Sequence, residues 1–199
     1  LDDFIEAIKA SLDFAASGLT LGNLYEQQRD ATQAEYFYRT ALEVDDLFFP
    51  AKANLAILLS QQGRTNESEQ LLREVLRDYP DQHDSAYSLA LLLVGEGRSD
   101  EALPYLARAA EGLPQRPRVH YNYGLLLAQL GKPEEAESAL NTARVLEPQS
   151  IDYLFALVDF YFKRGQLDAA LENAERIISA HPQNRLGYEL KARIEASLE

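Results

Sequence analysis

PRVHYNYGLLLAQLGKPEEAESALNTARVLEPQS, residues 117–150, decides the fold. His120, Tyr123, Gly124 and Leu127 stand at i, i+3, i+4 and i+7, the spacing that gathers side chains on one face of a helix. Gly131 stops that helix. A second opens near Pro133, puts Ala136, Leu140 and Ala143 on one face, and closes at Pro148. The result is a helical hairpin running from Pro117 to Ser150. Two short helices alone bury too little apolar surface to be stable, so the hairpin requires neighbours of the same kind.

A step of one hairpin length in either direction supplies them. Gly131 falls in register with Gly63, Gly97 and Gly165, and Pro148 with Pro80, Pro114 and Pro182. The small residue Ala136 matches Ala34, Ser68, Ala102 and Ala170. Five units follow, at 15–48, 49–82, 83–116, 117–150 and 151–184, forming one continuous stack of paired helices. The first departs from the pattern at Arg29, where the others have Gly, and at Asp46, where they have Pro. Close approach of the paired helices accounts for Gly22, Ala56, Ala90 and Gly124 at one position. Val158 breaks that rule and predicts a slightly splayed fifth hairpin.

Both ends read as flanking helices. Phe4, Ile5, Ile8 and Leu12 give residues 1–14 an amphipathic face. Residues 185–199 repeat only a first-helix pattern through Tyr188, Lys191, Ala192 and Glu195, polar at two positions, as a solvating cap requires. The chain opens on Leu1 and contains no Met, which suggests a domain of a longer protein.

Composition narrows the function. A net charge of −13 argues against nucleic acid, whose affinity comes from clustered Lys and Arg, and against an anionic membrane surface. No cysteine is present, so thiolate metal sites, haem attachment, disulfides and thiol catalysis are excluded within the chain. The longest apolar run, Leu89–Val94, is far short of the roughly 20 residues a membrane helix needs, and no signal peptide is visible. The compartment stays open between cytoplasm and periplasm.

Catalytic constellations are missing too. His83, His120 and His181 fall at three different repeat positions, without the i, i+4 pairing of a helical zinc site. His120 reads as a packing residue; His83 and His181 read as surface residues. Glu134-Glu135 and Asp45-Asp46 lie at helix ends or hinges as solvated charge, and Gly95-Glu96-Gly97 is a helix terminus without the strand a nucleotide loop follows. Asn66-Glu67-Ser68 matches a glycosylation acceptor, but Ser68 is needed for packing. No catalytic residue, metal site or cofactor is assigned, and the chain reads as non-enzymatic.

With a period of about 34 residues and a pattern of bulky residue, Leu, Gly or Ala, Tyr or Leu, then Ala, bulky residue, Ala and Pro, the chain resembles the tetratricopeptide repeat family. The resemblance implies an all-α, right-handed α-solenoid whose first helices line a concave groove through repeat positions 2, 5, 6, 9 and 12. Carried onto this sequence, the fifth positions are Leu19, Ala53, Tyr87, Tyr121 and Phe155, and the ninth are Asn23, Ile57, Leu91, Leu125 and Asp159. Val94, Ala128 and Phe162 fill the twelfth in the last three repeats.

The groove so inferred is apolar and aromatic within an acidic protein. Tyr87, Leu91, Tyr121, Leu125, Phe155 and Phe162 are the candidate partner-binding residues, suited to an extended or helical peptide whose side chains drop between rings. The alternative is that Tyr87, Tyr121 and Phe155 pack against one another. Members of the family that grip a chaperone's C-terminal carboxylate use Lys and Asn, then Asn, then Lys and Arg. Asn23 and Asn54 match that set, but Leu19, Asp84 and Ser88 replace the cations, and Arg118 with Asn122 is an isolated fragment. A carboxylate clamp is therefore rejected.

A second resemblance concerns context. Residues 51–184, with HYNYGLLL and DYLFALVDFYFKRGQLDAAL, are similar to repeat modules that follow the haem-binding part of bacterial multihaem c-type cytochromes. It implies a periplasmic home and docking to a redox partner or to a haem domain of the same protein. The expected partner is thus a protein or peptide, with an assembly role, by self-association into a homo-oligomer or by docking to a linked domain, as the alternative.

Overall fold

The computed structural model describes residues 14–198; the amphipathic N-terminal stretch through Leu12 lies outside them. Among the described residues there are eleven helices and no strand. They are α1 (Ala15–Gln27), α2 (Ala31–Val44), α3 (Phe49–Gln61), α4 (Thr65–Asp78), α5 (His83–Gly95) and α6 (Ser99–Gly112). The rest are α7 (Pro117–Gln129), α8 (Pro133–Leu146), α9 (Ile151–Lys163), α10 (Leu167–Ala180) and α11 (Arg185–Glu195). First helices start at Ala15, Phe49, His83, Pro117, Ile151 and Arg185, a constant interval that matches the sequence register. The helices form two compact units, α1–α5 ending at Arg98 and α6–α11 starting at Ser99.

The same turn closes every hairpin. At its third residue the backbone is left-handed, with φ between 70° and 78° at Gly63, Gly97, Gly131 and Gly165. The next residue's N–H reaches back to the carbonyl of the helix's last turn, as in Arg64 to Leu59 and Lys132 to Leu127, both 2.9 Å. That bond satisfies a carbonyl the helix end leaves open. A Cβ on any of these glycines would meet nothing within 4 Å, so dihedral freedom, not space, is what glycine supplies. Arg29 takes the same role in the first hairpin at φ 61°. Pro80, Pro114, Pro148 and Pro182 each stand two positions past a second helix, whereas Pro104 lies exposed inside α6, where it can give no helical N–H bond.

In the N-terminal unit each helix packs on its chain neighbours, and α3 also packs on α1 and α5. Ala34, Tyr38, Leu55, Leu58 and Leu59 form a core there, with Leu19, Tyr25 and Leu71 against it. Two ion-pair clamps tie its successive hairpins. Arg64 meets Glu35 at 2.8 Å and Arg98 meets Glu69 at 2.7 Å, the second pair being the first shifted by one repeat. Arg39 and Arg73 hold the same carboxylates from one turn along the helix, at 2.8 and 2.7 Å. Burial pushes the Glu35 carboxyl up, but bonds from Arg39 and Arg64 outweigh it and hold the group below its ordinary range. The Arg98 hydrogen bond does the same for Glu69 against the pull of burial.

The C-terminal unit follows the same logic, with α7 packed on α6, α8 and α9. Its core joins Leu127, Ala136, Leu140, Leu154, Leu157, Val158, Ala170, Ala174, Ile177, Leu190 and Ile194. The size exception at Val158 is matched by its partner position. A Cβ on Gly124 would come within 2.7 Å of Leu140, and one on Gly22 within 2.3 Å of Tyr38. One and four repeats on, Val158 meets the register position of Ala174, and both are fully buried. The larger residue on α9 is offset by the smaller one on α10.

α11 buries Gly187, Leu190 and Ile194 rather than the positions its sequence pattern picks out. Gly187 lies so close to α10 that a Cβ would stand 2.8 Å from Ile178. Tyr188, Ala192 and Glu195 are exposed, and Lys191 is half-buried, paired with Glu175 at 2.7 Å. Ala192 stands at the register position of Gly124, which meets the second helix of its own hairpin at Leu140. The buried side is the one turned to α10.

Candidate functional site

Because first helices pack on one another within each unit, their shared side forms a row there. Ile57, Leu91 and Leu125 occupy one repeat position and are 39%, 38% and 40% exposed. In the N-terminal unit Ile57 and Leu91 flank a cavity of about 400 Å3 between α3 and α5, floored by Leu72 and Leu92. In the C-terminal unit Leu125 flanks a cavity of about 470 Å3 between α7 and α9, floored by Leu140 and Phe160. The two are the same place in the repeat, two repeats apart: Ser60 becomes Ala128, Gln61 becomes Gln129, and Ser88 becomes Ala156. Both are apolar slots with an exposed aliphatic side chain at the mouth.

Their polar parts differ. The first slot carries Ser60, Thr65, Ser68 and Ser88, and closes with Glu96. Ser68 Oγ is buried with no hydrogen-bond partner among the described residues, and the Ser88 hydroxyl donates to the Asp84 carbonyl at 3.0 Å. At the second slot Asp159, Lys163 and Arg164 stand where the first has Leu91, Gly95 and Glu96.

Of the six residues the sequence singles out, Leu91 lines the first slot and Leu125 the second; Tyr87, Tyr121, Phe155 and Phe162 line neither. Tyr121 is half-buried with its ring 5.1 Å from Tyr153, and the Arg118 guanidinium lies 5.4 Å and 5.6 Å above the two rings. Burial, helped by the Asp152 charge, raises the Tyr121 hydroxyl's pKa above its ordinary value. Phe155 is 41% exposed. Phe162 is covered by Arg193 from α11, 4.9 Å above its ring. Sequence reasoning did not single out Phe160, Lys163 and Arg164. Their signal was the repeat register itself, since these positions face the neighbouring first helix.

The two asparagines that match a carboxylate clamp are engaged internally. Asn54 Nδ2 donates to Asn23 Oδ1 at 2.7 Å, and the same oxygen lies 2.8 Å from the Tyr38 hydroxyl. That hydroxyl gives its one proton to Glu26, the nearer acceptor at 2.6 Å, and burial together with the Glu26 carboxylate drives its pKa well above normal. The network ties the first hairpin to the second. His120 Nε2 and Tyr188 Oη, equivalent by register, bond the carbonyls of Pro114 and Pro182 at 3.0 and 3.3 Å. His181 is half-buried rather than a free surface residue, its Nε2 2.7 Å from the Gln149 carbonyl; His83 is half-buried as well. Among the described residues no group of three or more His, Asp or Glu side chains is placed to hold a metal ion. No helix among them is long and apolar enough to cross a membrane.

Paired helices recurring at one fixed interval, with first helices side by side, define a helical-repeat interaction scaffold. Tetratricopeptide repeat models match residues 53–117, 93–154 and 151–194, and the chain belongs to the tetratricopeptide repeat family. No curated protein sequence matches it. Many solved structures do. YrrB, a tetratricopeptide repeat protein with an unusual peptide-binding site, is 25% identical, with a TM-score of 0.78 over 95% of this chain and 97% of its own. PilF of Pseudomonas aeruginosa is 22% identical, with a TM-score of 0.77 over 92% of this chain and 84% of its own. A tetratricopeptide repeat protein of Parabacteroides merdae is 19% identical at the same TM-score, over 92% and 73%. The last two likenesses concern the fold alone. The similarity to cytochrome-linked repeats finds no counterpart in these matches.

Proposed function

We propose that this scaffold captures apolar segments of a protein partner in the slots between its first helices, without catalysis. One observation carries the reading: the same apolar slot occurs in both units with an aliphatic side chain left open at its mouth. Exposed aliphatic residues are ordinary singly, but recurrence at one repeat position beside a cavity marks a surface built for contact. An inserted side chain of Leu size would bury enough apolar area to contribute about 2 kcal/mol per slot. The peptide-binding site of YrrB, the relative at 25% identity, is consistent with this use of the fold.

Leu91→Ser and Leu125→Ser test it. Each places a hydroxyl at a slot mouth without touching the fully buried core, so helicity by circular dichroism stays at the wild-type level. Pull-down of a partner is expected to weaken with either variant and fail with both; undiminished capture by the double variant contradicts the reading. The assembly alternative predicts a concentration-dependent dimer in light scattering of the chain alone, which the double variant dissociates.

A further inference from the structure

We propose that the slot between α7 and α9 is specific for an acidic apolar segment, in which an aliphatic or aromatic side chain enters over Phe160 and a neighbouring carboxylate is held by Arg164. The proposal rests on the capture reading above and adds the charge of what is captured. Register carries it. Where the N-terminal unit's slot ends in Glu96, the equivalent C-terminal slot ends in Arg164, so one apolar cavity appears twice with the charge at its mouth reversed.

The balance around that charge differs as well. Glu96 accepts from Arg98 at 3.1 Å, and Lys163 is held by Asp159 at 2.7 Å. Arg164 has no carboxylate among the described residues: its guanidinium lies 5.4 Å above the Phe160 ring, and its Nε donates to the neutral Gln166 amide at 3.3 Å. A protein with a net charge of −13 has acidic side chains in excess, yet this exposed guanidinium at a slot mouth pairs with none of those described. Resting on an aromatic face leaves the donor edge of a guanidinium available, and its fork matches a carboxylate in two parallel hydrogen bonds. Below it the floor is apolar and closed, with Phe160 8%, Ala156 6% and Leu140 1% exposed. A cation above an apolar pocket complements a ligand that carries an apolar side chain beside a negative one.

Three synthetic peptides sharing a central Leu, flanked by Glu, by Gln or by Lys, test this against the full chain by fluorescence anisotropy. The Glu-flanked peptide is expected to bind roughly tenfold tighter than the Lys-flanked one, with the Gln-flanked peptide between. Arg164→Gln should remove the preference, Arg164→Glu reverse it, and Arg164→Lys retain most of it, while Leu125→Ser weakens all three. Equal binding of the three peptides, unaltered by Arg164→Glu, overturns the charge proposal and leaves capture standing. No binding of any peptide to the wild-type chain overturns both. A dimer of the chain alone that Arg164→Glu dissociates also overturns it, because the slot's occupant is then a second copy.

Discussion

Among the described residues, Arg29 is the one non-glycine residue with a positive φ, and it holds the turn that glycine holds in the other four hairpins. A left-handed backbone costs an ordinary side chain about 1 kcal/mol or more, and the equivalent glycines have open space around the missing Cβ. Arg29→Gly is therefore expected to raise stability, by somewhat under about 1 kcal/mol once the looser unfolded chain is counted. The converse change, Gly131→Val, should lower it by more than about 1 kcal/mol. Urea unfolding midpoints check both; a fall with Arg29→Gly, or no change with Gly131→Val, contradicts the account of the turn. The sequence displayed Arg29 as an irregularity. That the chain keeps the same backbone there despite the side chain is what only the structure shows.

The hairpin is the next scale, and its tightest contact is a trade of volume across two helices. Gly124 faces Leu140, while Val158 sits opposite Ala174 in register. Gly124→Val should overpack the fourth hairpin and cost about 2 kcal/mol or more. Adding Leu140→Ala reproduces the fifth hairpin's pairing, so the double variant should lose less than the two single changes summed. Strict additivity in thermal unfolding would count against the trade. Helix limits were legible in the sequence because Gly and Pro enforce them locally. Which faces become buried was less so: α11 offers more than one set at helical spacing, and it buries Gly187, Leu190 and Ile194 because that face meets α10. The same dependence on a neighbouring helix hid Phe160 and Arg164, which line their slot together with residues of α7, the first helix of the preceding repeat.

The clamps between hairpins make the N-terminal unit sensitive to acid. Glu35 and Glu69 have folded-state pKa values below the ordinary 4.5, so their contribution is complete above that value and is lost as pH falls through the lowered ones. Stability should drop on acidification below about pH 4.5, and the Glu35→Gln, Glu69→Gln variant, weaker at neutral pH, should show a shallower drop. An unchanged acid profile in that variant contradicts the clamp. On the scale of the whole molecule, a repeated helical scaffold was plain from the even spacing of Gly63, Gly97, Gly131 and Gly165, and its acidity from composition. The proposed recognition surface was half visible there: Leu91 and Leu125 stand out by position, whereas the cavities they line arise from packing between repeats. Hydrogen–deuterium exchange with and without a bound leucine-bearing peptide tests the central claim most directly. Capture in the slots predicts added protection in the C-terminal halves of α3 and α5 or of α7 and α9; protection confined to α2, α6 and α10, which line neither slot, would contradict it.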